Sequence, residues 1–119
     1  MIKCNKNIIV LLAIFAFIVC VYADEIHEAA RKGDLTKVKE LLDKHPELVN
    51  AVDNRNCTPL HFAVNGGYTE IANLLIEKGA DILAKDADGD TPLHWAAWAG
   101  KTDLAELLIS KGADIKFQK

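Results

Sequence analysis

The chain has 119 residues, 50% of them hydrophobic and 26% charged, with a formal net charge of −3. That length is enough for one small domain. A negative balance with the basic residues scattered along the chain argues against nucleic acid as a partner, because phosphates require a basic footprint.

The first element stands apart from the domain. Lys3 and Lys6 precede an unbroken apolar run from Ile8 to Val21. Val21-Tyr22-Ala23 then places small or branched residues at the two positions that a signal peptidase reads. The run covers 14 residues, short of the roughly 20 that cross a bilayer. The expectation is a signal peptide over residues 1–23, cut after Ala23, with an uncleaved membrane anchor as the alternative. Cys20 invites a lipid-modified terminus, but Val19 before it is bulkier than such sites want. All 17 acidic residues follow the leader and two of the 14 basic ones lie within it, so residues 24–119 carry −5. Cys4 and Cys20 also fall in the leader. Cys57 remains alone, which excludes an internal disulfide in residues 24–119 and leaves no Cys/His cluster for structural zinc.

The remainder repeats itself. Thr58-Pro59-Leu60-His61 returns as Thr91-Pro92-Leu93-His94, and Gly79-Ala80-Asp81-Ile82 as Gly112-Ala113-Asp114-Ile115, each 33 residues on. Asp53 and Asp86, and Gly67 and Gly100, share that spacing. A fainter first copy begins at Ile26-His27 with an offset of 34, the extra residue falling between His45 and Val52. A loop is where one added residue costs little.

Within each copy the elements follow from local chemistry. Thr58 and Thr91 are helix caps, and Pro59 and Pro92 then occupy the first helical position, where no N–H is needed. Leu60, Ala63 and Val64 line one side of that short helix, as do Leu93, Ala96 and Ala97 one copy on. A second helix is expected from about Thr69 to Lys78, its buried face formed by Ile71, Leu74, Leu75 and Ile76 at i, i+3, i+4 spacing. Leu104, Leu107, Leu108 and Ile109 are the counterparts. Gly79 and Gly112 stop these helices. Ala80 to Asp90 is read as an extended, hairpin-like loop turning at Asp88-Gly89. Asn56 stands where Gly89 does, and Asn is the next best residue for a left-handed turn.

These residues resemble the ankyrin repeat family over residues 24–115. The Thr-Pro-Leu-His tetrad, two small residues, a Gly, a Leu-rich stretch and Gly-Ala-Asp carry the resemblance. It implies an all-α solenoid of three helix-turn-helix repeats, about 24–52, 53–85 and 86–119, joined by hairpin-like loops. The first copy has Asp24-Glu25-Ile26-His27 in place of the tetrad, as suits an end repeat. It also places Lys37 and Glu40 where the inner copies have Ile71 or Leu104 and Leu74 or Leu107. It is therefore expected to cap the N-terminal end. Ile109 shows no such change, which makes the C-terminal end a candidate self-association surface unless Phe117 folds over it.

Chemistry-bearing patterns give way to simpler readings. His27, His61 and His94 recur once per copy, and the resemblance makes them structural, holding hairpin to helix. His27-Glu28 begins a metalloprotease pattern that fails at Arg31, where a second His is needed. Asp86-Ala87-Asp88-Gly89-Asp90 starts like a calcium loop, but Thr91 and Ala97 stand where Gly and Glu belong. Asn56-Cys57-Thr58 is a formal glycosylation acceptor disfavoured by Pro59. Cys57 has no acid–base partner by position, Ser110 is the sole serine, and Asn65-Gly66-Gly67 is a turn between helices. No catalytic set and no cofactor are expected.

The function implied by the resemblance is protein binding. A solenoid presents a concave surface built from equivalent positions, and in ankyrin proteins the contacts come from hairpin tips and from exposed positions of the first helix. By position these are Arg31 and Lys32, then Asn54, Arg55, Cys57, Asn65 and Gly66, then Ala87, Asp88, Asp90, Trp98 and Ala99. Trp98 is the expected anchor, because its counterparts Asn65 and Arg31 are polar and Trp is enriched among binding hot spots. Trp95, the counterpart of Phe62, is expected to fill the gap between repeats. The partner is an unknown protein met after export, in a bacterial periplasm or on release to a host. A truncated fragment without a role of its own is the remaining alternative.

Overall fold

The computed structural model describes residues 22–112. Helical residues 22–32 (α1) are followed by α2 (Leu35–Lys44), a 3-10 helix (Pro46–Asn50), α3 (Pro59–Gly66), α4 (Thr69–Glu77), α5 (Pro92–Ala99) and α6 (Thr102–Ser110). No strand occurs among the described residues. Within the second and third repeats α3 pairs with α4 and α5 with α6, and between repeats α3 packs on α5 while α2 meets α4. Buried side chains from all three repeats, among them Ile26, Leu42, Leu60, Leu75, Leu104 and Leu108, form one continuous core.

The helix starts obey the expected caps. Thr58 accepts a hydrogen bond from the His61 backbone N–H, and the His61 side chain answers by accepting from the Thr58 N–H. Thr91 and His94 repeat this reciprocal arrangement. Such a box satisfies two of the donors that a helix start leaves orphaned. Gly67 and Gly100 end α3 and α5 in the left-handed conformation, with φ of 76° and 71°. The tight turn this permits lays α4 and α6 back along their partners.

The first repeat departs from the expected boundaries. Residues 1–21 of the expected leader lie outside the described residues, as does the end of the third repeat beyond Gly112. Tyr22 and Ala23, however, already belong to α1: Ala23 is only 8% exposed, and the Tyr22 ring stacks on His45 at 4.5 Å. The inserted residue between His45 and Val52 enters a 3-10 helix that buries Leu48 and Val49, rather than an open loop. Asn50 at its end ties two repeats together. Its amide donates to the Gly79 carbonyl at 3.2 Å and accepts from the Asp81 N–H at 2.8 Å.

Ala97 also departs from expectation. It is exposed, whereas its counterpart Val64 is fully buried. The cover over Val64 comes from the following repeat, so the same position in the last described repeat loses it. Tyr68 is a packing residue that sequence reading missed. A Cβ added to Gly33 would meet its ring at 2.5 Å, and one added to Gly66 would overlap it as well. The ring thus lies against two backbones that only glycine leaves bare enough.

Candidate binding surface

Asp53 and Asp86 build the loop tips. The Asp53 carboxylate accepts from the N–H groups of Arg55 and Cys57, both at 2.9 Å, and Asp86 does the same for Asp88 and Asp90. Asn56 and Gly89 complete the turns in the left-handed region, with φ of 62° and 83°, as the residue types demand. The Ala87 N–H donates to the Arg55 carbonyl and the Asn56 amide to the Lys85 carbonyl, each at 2.9 Å, so the two tips brace each other. Burial pushes the Asp86 carboxyl up, but hydrogen bonds from Asp90, the Trp95 indole and Asp88 outweigh it and hold the group below its usual 3.8.

Of the twelve residues expected to contact a partner, nine are exposed (Arg31, Lys32, Asn54, Arg55, Asn65, Gly66, Ala87, Asp88 and Trp98) and Ala99 is half-buried. The other two are corrected by the structure. Cys57 and Asp90, equivalent positions one repeat apart, are each only 4% exposed. Their N–H groups are the last that each Asp carboxylate draws in, and this turns both side chains towards the body of the repeat rather than the tip. Burial, followed by the nearby negative charges of Asp53 and Asp86, pushes the Cys57 thiol up to about 11. It stays protonated at neutral pH and is a poor nucleophile. Asp86, Asp88 and Asp90 bring carboxylate oxygens within 4.8 Å of one another. Both oxygens of Asp86 are already engaged, one by two backbone N–H groups and the other by the Trp95 indole N–H at 3.0 Å.

An aromatic row backs the surface. Phe62 meets His27 and Trp95 edge-on, at 5.6 and 5.9 Å, and Trp95 meets His61 at 5.1 Å. The Arg31 guanidinium lies over the Phe62 ring at 5.0 Å while pairing with Glu28 at 3.0 Å; Lys32 reaches the same carboxylate at 3.4 Å. Trp95, half-buried, is the gap filler expected of it. Trp98 is 64% exposed and lies tilted against His94 at 5.8 Å. Arg55 and Asp88 pair across the tips at 3.8 Å, both largely in solvent. Such a pair contributes little energy but sets where charge is displayed.

His61 joins the second repeat to the third. His61 Nδ1 accepts from the Thr58 N–H at 3.1 Å, and its Nε2 lies 3.0 Å from the Asp90 carbonyl oxygen. A carbonyl can only accept, so Nε2 carries the proton and the ring is neutral. Burial lowers its pKa below the usual 6.5, against the opposing pull of the Asp90 carbonyl and nearby carboxylates. His27 Nε2 reaches the Ala51 carbonyl at 2.9 Å in the same manner. Both ring nitrogens of His61 are thus spent on the backbone, whereas His27 spends only Nε2 there.

With Thr and Pro in these places twice and His and Gly three times, the comparison with known families is decisive: a model described as ankyrin repeats, in three copies, matches residues 26–119. The chain belongs to the ankyrin repeat family. No curated protein matches the chain. Ankyrin repeats are generally protein–protein interaction modules and are typically not enzymes. Among the described residues, no helix of this ankyrin stack is long and apolar enough to cross a membrane.

Proposed function

We propose that this ankyrin stack binds a partner protein along the strip formed by α1, α3, α5 and the two loop tips, with Trp98 as its anchor. The observation that carries the reading is the 64% exposure of Trp98 on a helix whose equivalent positions hold Arg31 and Asn65. A large aromatic side chain in water on a braced surface adds contact area at little cost in ordering. Arg31, Lys32, Asn54, Arg55, Asn65, Ala87 and Asp88 supply the polar rim, and the paired charges fix its pattern. Export supplies the setting: the leader-like residues 1–23 direct the chain to a periplasm or to secretion, where the partner is met.

Affinity capture with the full chain, set beside Trp98→Ala, tests the surface. Loss of the anchor should weaken the captured partner by about 2 kcal/mol or more, roughly a thirtyfold change, with the melting temperature nearly unchanged. Equal capture by both forms sinks the anchor; a collapsed melting temperature makes Trp98 a core residue instead. Cell fractionation with N-terminal mapping tests export, and intact chain confined to the cytoplasm would exclude it.

Self-association is a second reading, favoured by Ile109, which is 42% exposed where its counterpart Leu42 is buried, and by exposed Ala97. Light scattering on the wild type and on Ile109→Lys decides it. A mass that is monomeric in both removes this reading.

A further inference from the structure

We propose that the Ala23–Asp24 peptide bond is a processing site open only in the unfolded chain, and that cutting it gives the first repeat the helix start its siblings already have. The proposal rests on the export reading. Two independent registers meet at this bond. The leader pattern ends at Ala23. The repeat pattern puts a helix cap three residues before each structural histidine: Thr58 before His61, Thr91 before His94, and Asp24 before His27.

In the inner repeats the Thr N–H donates to the histidine Nδ1, at 3.1 and 3.0 Å. In the intact chain Asp24 lies inside the helical residues 22–32, so its N–H is directed along the helix rather than capping it. His27 is 3% exposed, and its Nδ1 has no hydrogen-bond partner among the described residues. A buried acceptor left in this state costs stability. Hydrolysis would change the donor. Water adds its hydroxyl to the Ala23 carbonyl carbon, the C–N bond breaks, and the proton passes to the Asp24 nitrogen. The freed amino group then stands where the Thr58 N–H stands, and Asp is among the best residues for a helix cap.

The bond is closed to a peptidase in the folded chain. Ala23 is part of the core and Tyr22 stacks on His45, with both residues in a helix. Proteases accept extended backbone, so a folded segment must first open locally. Processing therefore precedes docking of α1 on the stack.

The test uses the full chain made by cell-free synthesis in detergent. Purified signal peptidase is present from the start in one arm and is added after folding in the other, and the new N-terminus is read by mass spectrometry. Cutting between Ala23 and Asp24 is expected in the first arm and at least about tenfold slower in the second. His45→Ala leaves the cut sequence untouched and should speed the second arm alone. Equal rates in both arms overturn the masking and leave the export reading standing. A slow second arm indifferent to His45→Ala overturns the part given to Tyr22. No cut at this bond in either arm overturns the export reading, and the proposal with it.

Discussion

At the N-terminal end of the stack, the positions held by Ile71 and Leu74 in the middle repeat are held by Lys37 and Glu40. Lys37 lies 3.9 Å from Glu25 and 3.8 Å from Glu40, so the outer face is a chain of charges in partial contact with water. At the other end the residue types do not change, yet their surroundings do. In the middle repeat Leu60, Val64 and Ala72 are fully buried, whereas in the third Leu93 and Ala105 are half-buried and Ala97 is exposed. One end is thus closed by composition, while the other carries inner-repeat residues with less cover. A residue in a solenoid contributes according to what its neighbour covers, because each repeat touches only the next.

The largest effect that tests this contrast is a matched pair of core truncations. Leu60→Ala, at a fully buried site, should cost about 2–5 kcal/mol. Leu93→Ala, its half-buried counterpart, should cost about half as much, because part of its surface never left water. Urea melts of the two variants measure the difference, and equal losses would break the comparison.

A pH titration tests the buried ring of His61. His61 holds its folded-state pKa below 6.5 because burial disfavours the charged ring. As pH falls through 6.5 the unfolded chain takes up a proton that the folded chain refuses, so stability declines. The contribution is fully present above 6.5 and is lost progressively towards the lowered pKa. Urea midpoints taken from pH 7.5 downward should fall, and His61→Gln should flatten the part of the slope below 6.5. An unchanged slope in that variant would remove His61 from the account.

The smallest effects belong to the outermost faces. Lys37→Ala should cost about 0.5 kcal/mol or less, since partly exposed ion pairs are screened. Ile109→Lys should change monomer stability by a similarly small amount, about 0.5 kcal/mol. A loss of several kcal/mol at Ile109 would show that this face is covered in solution, and the two ends would then be alike.

Sequence legibility varied with the range of the interaction. The caps at Thr58 and Thr91, the left-handed Asn56 and the terminating glycines are decided by residues within four positions of one another, and all stand where residue chemistry puts them. So do the repeat count and the charged first face, which follow from spacing and composition. The burial of Cys57 and Asp90 was not legible, because hairpin tips are polar and exposed in general while these two side chains turn inward under a carboxylate-bound turn. Nothing local marks Tyr68 as the ring laid against Gly33, or Asn50 as the link to Gly79 and Asp81, since each of these contacts joins separate repeats. Trp98 could be read as non-core from its polar counterparts, but its degree of exposure depends on what packs beside α5. The sequence by itself therefore determined that three ankyrin units exist, where the helices of the second and third start and stop, and which face of the first is polar. Only the tertiary structure decided which candidate side chains reach water and that α1 runs through Asp24, because both depend on packing between segments far apart in the chain.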